Sequence, residues 1–335
     1  MYTIAVDAMG GDHAPDITAR GSVEALRAHG DISILLIGQT ERVSPLLSDA
    51  GDVADRLTVV DARETIENTE PAVMAIRRKT DSSLVRGFLA VREGDAQALV
   101  SAGSTGAIMA GALFRLGRVE GIDRPALATL LPTATGRQAL LVDTGANVDC
   151  QPEWLVQFGR MGSAYMRQVG GVENPRVALL SNGEEDEKGN QQVKAAHALL
   201  ARAGLNFVGN LEARGVPLGE TDVIVADGFA GNILLKSMEG LIRAVFTLLK
   251  RELTATKRAK LGALLAKDAF ARLKHGLDAD EVGGAPLLGT TGAVVKAHGN
   301  SGAHAFSCAI RQARSMLEGR VVDIIAAQAA GPRAS

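Results

Sequence analysis

The chain has 335 residues, with 36 Lys or Arg against 38 Asp or Glu and a formal net charge of -2. A nearly neutral chain carries no global signal for nucleic-acid binding, and aromatic residues, at only 3%, are too sparse for base-stacking platforms. Cys150 and Cys308 lie far apart without a CxxC pair, so we expect no disulfide framework, no zinc motif and a reducing, cytoplasmic location. The sequence likewise predicts no metal or cofactor, no secretion leader and no membrane-spanning helix.

Short apolar runs alternate with segments of helical spacing. The runs are, in chain order, 3–7, 32–38, 57–60, 98–101, 126–131, 140–143, 177–181 and 223–227. The helical segments include 15–29, 71–79, 105–117, 152–169 and 188–203. Buried strands separated by helices predict an α/β fold, a doubly wound and largely parallel sheet with helices on both faces (an α/β/α sandwich). Because no linker or repeat forces a division, residues 1–335 are predicted to form a single domain.

The first run ends in Asp7 and leads into a turn that contains two adjacent glycines. Gly10 and Gly11 allow backbone angles that direct N–H groups towards a bound anion. A purely structural turn is the alternative, because glycine pairs also serve tight turns. Asp12 and His13 in the same turn favour a site.

Four later runs also end in glycine-rich polar turns. These turns are SAGSTGA at 101–107, DTGAN at 143–147, SNGEEDEKGN at 181–190 and ADGFAGN at 226–232. Parallel sheets bind their ligands beyond the carboxyl ends of the strands, so we expect all five turns to share one rim and to form a pocket for an anionic substrate. Each turn alone is weak evidence, since tight turns use glycine for geometry.

The side chains in and near these turns supply hydroxyl, amide and cationic groups. The candidate anion-binding residues are Asp7, Gly10, Gly11, Asp12, Ser101, Gly103, Ser104, Thr105, Gly106, Asn182, Gly183 and Lys236. The candidate catalytic residues are His13, Lys188, Asp227, Asn232 and His298. Structural alternatives stay open: Ser104 is also a good helix cap, and Lys188 could be a solvated lysine beside an acidic run. Asn232 and Lys236 could equally form a solvent-facing polar stripe.

Residues 241–275 differ from the rest of the chain. They hold nine Lys or Arg against two acidic residues, and their leucines recur with helical spacing. We expect a protruding, basic amphipathic helical hairpin that turns near 254–257. Its candidate membrane or partner contacts are Lys257, Arg258, Lys260, Leu261, Leu264 and Leu265. A dimer arm with a solvated basic face is the alternative.

Several motifs, taken together and in order, resemble one family. DAMGGDHAP, SAGSTGA, IDRPAL, LLVDTGANVDC, GEEDEKGN, DGFAGN, LLK and GGAPLLG are similar to the motifs of the bacterial phosphate acyltransferases of phospholipid synthesis (acyl-ACP:phosphate acyltransferases). The resemblance runs from residue 4 to about residue 310, although Ser104 stands where the family usually has Asn. It implies a fold similar to phosphotransacetylases and isocitrate-type dehydrogenases, and a homodimer.

The resemblance also implies a reaction and its partners. A fatty acyl group would move from the thioester of acyl carrier protein to inorganic phosphate, and the acyl phosphate would feed a downstream glycerol-phosphate acyltransferase. The basic segment 241–275 adds the expectation of peripheral contact with the inner face of the membrane. The alternatives are a phosphotransacetylase-like or dehydrogenase-like enzyme on a similar sheet, and a non-catalytic scaffold that binds acyl carrier protein.

Such a reaction needs fixed donors and a cation more than a strong base, because phosphate is already a nucleophile. We expect direct transfer, with residues 9–12 and 101–106 cradling phosphate and Lys188 neutralising charge. His13 or His298 would donate to the oxyanion or the leaving thiol. A covalent acyl-cysteine is the alternative, but neither cysteine lies in an evident electropositive turn.

Overall fold

A computed structural model of the chain describes residues 1–277 and 279–330. The predicted domain 1–335 includes residue 278 and residues 331–335, which lie outside the described residues. The strands are β1 (Tyr2–Asp7), β2 (Ile32–Gly38), β3 (Leu57–Asp61), β4 (Ala98–Ser101), β5 (Ala126–Pro132), β6 (Gln138–Val142), β7 (Val177–Ser181), β8 (Phe207–Glu212), β9 (Val223–Val225), β10 (Ala285–Leu288) and β11 (Ala293–Lys296).

Helices follow most of these strands. They are α1 (Asp16–Ala28), α2 (Thr40–Val43), α3 (Ala72–Arg78), α4 (Ser83–Glu93), α5 (Thr105–Gly111), α6 (Pro152–Gln168), α7 (Gln191–Leu200), α8 (Gly228–Thr254), α9 (Lys257–Leu265), α10 (Lys267–Leu277), α11 (Ala279–Val282), α12 (Ala303–Glu318) and α13 (Val321–Ala329). A π-helical turn (Ala112–Leu116) extends α5, and short 3₁₀ helices occur at Ser44–Leu47, Gly51–Arg56 and Ala213–Leu218.

All eleven strands form one sheet in the order β3-β2-β1-β4-β11-β10-β5-β6-β9-β7-β8. Seven of its neighbouring pairs are parallel, so the predicted largely parallel sheet is confirmed. The three antiparallel pairs lie together in the middle, at β11-β10, β10-β5 and β5-β6. Two parallel blocks of opposite direction therefore flank a central switch in strand direction.

This switch overturns one expectation from the sequence. The strands β6, β7 and β9 run opposite to β1 and β4, so their glycine-rich turns lie at the other edge of the sheet. The five turns do not share one rim. Sequence patterns identify strands, but they carry no information about the direction in which two distant strands pair.

Apolar side chains alternate between the two faces of the sheet, as expected for strands buried on both sides. Ile4 and Val6 pack in a cluster with α1, α6 and α12, whereas Ala5 packs in a second cluster with α4 and α5. In the other block, Leu141 packs in a third cluster with α8. The predicted helices on both faces are confirmed.

The basic segment contains three helices instead of two. Helix α8 ends at Thr254, close to the predicted turn. A second interruption of the helical structure, at Ala266, separates α9 from α10. The two-helix hairpin is therefore not confirmed. Within the part of the chain that the structure describes, no helix combines the length and apolar character needed to cross a membrane.

Candidate functional site

A buried carboxylate joins the ends of β1 and β4. Asp7 is 2% exposed and accepts hydrogen bonds from the hydroxyls of Ser101 and Ser83, each at 2.6 Å. Burial raises the pKa of Asp7, and these hydrogen bonds act in the opposite direction. The structure thus places Asp7 and Ser101 beneath their turns, where they fix the backbone above them.

Glycine is required where the first turn crosses this carboxylate. A Cβ on Gly10 would lie 2.5 Å from the Asp7 Oδ2 atom, and Gly11 has a φ of +107°. The Asp12 N–H donates to the Gly299 carbonyl oxygen at 2.8 Å, which brings the residues after β11 beside the first turn. His13 is exposed in this turn.

The turn after β4 begins a helix in the way that the structural alternative predicted. The Ser104 hydroxyl accepts a hydrogen bond of 3.2 Å from the Ala107 N–H and caps α5. Gly103 lies between this cap and Ser101, and its N–H donates to the Ser101 hydroxyl at 3.0 Å. Gly106 is exposed, whereas the neighbouring Thr105 lines a large cavity.

This cavity has a volume of about 720 Å³ and lies along β5, where the strand direction switches. It occupies the sheet face that carries α5 and α8, between the two apolar clusters of that face. Its polar lining consists of Thr105, Thr129, Thr144, Asn232, Lys236, Glu239, Arg243, Thr247, Lys250, Lys274, Lys296, His298, Asn300 and Ser301. Its apolar lining includes Leu127, Leu130, Leu131, Leu235, Met238, Ile242, Phe246, Leu277 and Val282. The cavity thus draws residues from both edges of the sheet.

Two lysines make part of the cavity cationic, and a histidine lies beside them. Burial lowers the pKa of Lys296, and the nearby ammonium of Lys236 lowers it further. Burial also lowers the pKa of His298, with added repulsion from both lysines. Glu239 pairs with Lys236 at 2.8 Å and offsets only one of these charges. A site that holds uncompensated cations in partial burial is suited to an anion.

Lys296 is the functional candidate that the sequence analysis missed. It is the last residue of β11, and its Nζ donates to the Ala297 carbonyl oxygen at 3.2 Å. The available signal was a lysine that ends an apolar run, AVVK, directly before the turn with His298. That run was not identified as a strand.

Asp143 organises the turn on the opposite side of the cavity, and it was also missed. Its buried carboxylate accepts hydrogen bonds from four main-chain N–H groups and from the Asn147 amide, at 2.7 to 3.1 Å. Burial raises the pKa of Asp143, against these hydrogen bonds. The neighbouring Thr144 hydroxyl lies 3.2 Å from that of Thr129, and both face the cavity.

The start of α8 forms part of the cavity wall on the side of Asp143. Asp227 caps the helix by accepting from the Ala230 N–H at 2.8 Å. Gly231 lies so close to Asp143 that a Cβ would be 1.9 Å from its carbonyl oxygen. This approach places Asn232 and, one turn later, Lys236 at the cavity. Among the predicted site residues, the cavity therefore brings together Thr105, Asn232, Lys236 and His298.

Lys188 lies elsewhere, in the loop after β7. Its side chain is exposed and packs beside Gly183, and neither residue lines the cavity. Asn182 is exposed in the same loop. The structure does not bring this loop, or His13, into the cationic part of the cavity.

The cysteines differ in their surroundings. Burial raises the pKa of the Cys150 thiol to about 12, and the Asp143 carboxylate contributes to the rise. Such a thiol is a poor nucleophile at neutral pH. Cys308 is buried on α12 and, with Glu281 and His304, forms a group of side chains that could hold a metal ion.

Comparison with known proteins assigns the chain to a family. Residues 2–323 match the family model described as "Fatty acid synthesis protein". The "Phosphate acyltransferase" of Geobacillus thermodenitrificans is 49% identical over 325 residues, which cover 97% of this chain and 98% of the relative. The chain belongs to this family.

Solved structures show the same fold at low sequence identity. A phosphotransacetylase from Streptococcus pyogenes matches with a TM-score of 0.60 and 20% identity, over 98% of this chain and 94% of its own. A 4-hydroxythreonine-4-phosphate dehydrogenase from Salmonella typhimurium, described as putative, matches with a TM-score of 0.54 and 14% identity, over 94% and 99%. The expected similarity to phosphotransacetylase and dehydrogenase folds is confirmed.

Proposed function

We propose that the chain transfers a fatty acyl group from the thioester of acyl carrier protein to inorganic phosphate, and that the cavity along β5 is the active site. One observation carries this proposal. The same cavity joins a cationic region, formed by Lys236 and Lys296 beside His298, to the apolar side chains Leu235, Ile242 and Phe246 of α8. An anionic nucleophile and an aliphatic chain are the two substrates that such a cavity suits. The relative's name, "Phosphate acyltransferase", supports acyl transfer with phosphate as a substrate.

Phosphate would occupy the cationic region. Lys296 and Lys236 supply charge, and the hydroxyls of Thr105 and Ser301 supply neutral donors. A bound phosphate raises the pKa of Lys296 by direct attraction, so the lysine is a full cation in the complex. The acyl chain would lie along Leu235, Ile242 and Phe246.

The chemistry then requires one bond to form and one to break. A phosphate oxygen attacks the thioester carbonyl carbon, the new C–O bond forms, and collapse of the tetrahedral intermediate breaks the C–S bond. The proton lost by hydrogen phosphate ends on the leaving sulfur. We assign this relay to His298, whose lowered pKa favours the neutral imidazole. Lys296 stabilises the intermediate's oxyanion.

The transfer is direct in this proposal. The raised pKa of Cys150 disfavours a thiolate there, and Cys308 is buried. The loop with Lys188, and the turn with Asp12 and His13, remain candidates for contact with the carrier protein or for closure over phosphate. Their place outside the cavity lining makes Lys296 the stronger choice for the central cation.

The exposed apolar residues of α8 and α9 are the basis for two association surfaces. Leu241, Val245 and Leu248 lie along α8 and are at least half exposed, which suits pairing with a second copy of the chain. We assign the leucines of α9, with their flanking Lys and Arg, to an anionic membrane surface. This would deliver a lipid precursor at the membrane.

The decisive experiment supplies acyl carrier thioester with and without inorganic phosphate and traps acyl phosphate with hydroxylamine. We expect acyl hydroxamate above the background from direct attack of hydroxylamine on the thioester only when phosphate and the protein are both present, without NAD. Thioester loss that is independent of phosphate would replace the transferase by a hydrolase. Binding of the carrier without thioester loss would favour a scaffold, and an absorbance change with NAD would favour a dehydrogenase.

A further inference from the structure

A second cluster of reactive side chains lies beside the cavity wall and takes no part in the proposed transfer. It combines Glu281 of α11 with His304 and Cys308 of α12. The His304 Nε2 atom lies 3.1 Å from Glu281 Oε1 and 3.7 Å from Cys308 Sγ. All three donor atoms lie within 4.8 Å of one another. His275 of α10 adds a fourth donor, with Nδ1 at 3.0 Å from the same Glu281 oxygen.

The geometry separates a metal site from a catalytic relay. In a relay, the histidine contacts the nucleophile with one ring nitrogen and the carboxylate with the other. Here Glu281 and Cys308 both approach the same nitrogen, Nε2. One nitrogen has a single lone pair or a single proton, and therefore serves one partner well. Convergence of three donors on a common centre is the arrangement that a bound cation satisfies.

We propose that Glu281, His304 and Cys308, with His275 as the fourth ligand, bind a zinc ion. Zinc takes tetrahedral sets of thiolate, imidazole and carboxylate, with Zn–N and Zn–O near 2.0–2.2 Å and Zn–S near 2.3 Å. Those bond lengths place neighbouring donor atoms about 3.3–3.7 Å apart, close to the 3.0, 3.1 and 3.7 Å of the His275–Glu281, His304–Glu281 and Cys308–His304 pairs. One thiolate and one carboxylate balance the dication, so the site needs no further charge.

The backbone at Gly283 allows the chain after α11 to lie directly against α12. Gly283 has a φ of +87°, and a Cβ there would lie 2.3 Å from the Cys308 carbonyl carbon. Only glycine lets the chain after α11 come this close to α12, and Arg311 holds it there by donating to the Glu281 carbonyl oxygen. His304 and Cys308 are four residues apart, on one face of α12.

The position gives the ion a structural consequence. Val282 and Ala305, the residues next to Glu281 and His304, both line the cavity. A zinc ion would therefore clamp α10 and α11 to α12 and hold this part of the cavity wall. Its role is positional, since the reacting groups lie at Lys296 and His298.

The test is cobalt and zinc binding to the full chain after treatment with a chelator. We expect one equivalent of Co²⁺ to produce a thiolate-to-cobalt charge-transfer band, and one equivalent of Zn²⁺ to displace it and raise the melting temperature. Cys308→Ser should remove the band, and both Cys308→Ser and His304→Ala should weaken zinc binding roughly 10–100-fold or more. Cys150→Ser, the matched control at the chain's other cysteine, should leave both readouts unchanged.

Two results would overturn the site: no charge-transfer band at one equivalent of cobalt, or a band that persists in Cys308→Ser. Because the Cys308 position is buried, circular dichroism should first establish that this variant folds. His304 is 64% exposed, so His304→Ala tests the same site without a change in the core. Unchanged zinc affinity in a folded His304→Ala protein would also contradict the proposal.

Discussion

Asp7 accepts a hydrogen bond of 2.6 Å from Ser101, and this contact joins the carboxyl ends of β1 and β4 beneath their two glycine-rich turns. Both side chains are almost fully buried, at 2% and 0% exposure. The pair therefore acts on the site through the backbone above it. It fixes where the first turn and the start of α5 lie relative to the cavity.

Gly10→Ala should test this arrangement, because the added methyl group would meet the Asp7 carboxylate at 2.5 Å. We expect a loss of about 1–3 kcal/mol in the free energy of unfolding, measured by denaturant titration. Gly51→Ala is the matched control, since nothing lies within 4 Å of a Cβ there. Equal free energies of unfolding for the two variants would show that the turn can accommodate the methyl group without a loss of stability.

Lys296→Met should reduce phosphate-dependent acyl transfer by about 100-fold or more, the scale expected when one preorganised electrostatic group is lost. Methionine keeps most of the side-chain volume and removes the charge. The comparison is Lys188→Ala, for which the sequence predicts a similar loss. Steady-state rates for both variants separate the two lysines.

A large loss in Lys296→Met alone would assign catalysis to the cavity. A loss in both variants would mean that the loop after β7 reaches the site during turnover. If only Lys188→Ala lost activity, the cavity would be the wrong active site.

Lys296 should also make the stability of the fold depend on pH. Burial lowers the pKa of Lys296 below its usual 10.5, so the unfolded chain binds this proton more tightly than the folded one. Below the pKa that Lys296 has in the folded state, the cost of burying its charge lowers the free energy of unfolding by its full amount. As pH rises from that pKa to about 10.5, the folded state gains stability relative to the unfolded state.

Lys296→Met should lack this gain and should be more stable than the wild-type chain at pH 7. Denaturant titrations at several pH values from neutral to about 10.5 measure both effects. Lys194→Met, at an exposed lysine of α7, is the control for loss of charge alone. A wild-type stability that is flat across this range would remove the argument for a buried cation.

Much of the fold could be read from the sequence, because buried parallel strands are short and almost wholly apolar. All eight predicted runs coincide with strands, including 32–38 and 98–101, which match β2 and β4. The missed strand β8 begins FVGN, where exposed and polar positions interrupt the apolar pattern. The strand β10 contains Pro286, a residue type depleted in strands, and the short run of β11 was not identified either.

The candidate site was harder to predict, for a topological reason. Thr105 and Asn232 were identified from their turns, but the turns were assigned to one rim. Their meeting depends on three antiparallel pairings in the middle of the sheet, between strands distant in sequence. Lys296 was missed because the run that it ends was not identified as a strand, and because its burial beside Lys236 depends on the tertiary fold.

The last prediction concerns the exposed leucines of α9. Leu261, Leu264 and Leu265 are 61%, 67% and 83% exposed, and they lie within or beside a basic stretch of the same helix. Each Lys or Arg near an anionic lipid surface contributes about 1 kcal/mol of attraction, after which exposed leucines can insert. The protein should sediment with vesicles that contain anionic lipid, and less so as salt rises, because exposed charges are screened.

Replacing these three leucines by glutamate should abolish vesicle binding while soluble acyl transfer continues. The matched control is the same change at Leu199, Val208 and Leu218, which are exposed away from α9. Size-exclusion chromatography of both triple variants tests the competing assignment. If the α9 variant elutes as a smaller species, or unfolds where the control does not, the leucines form a contact between subunits. Unchanged vesicle binding by the α9 variant would contradict the membrane proposal.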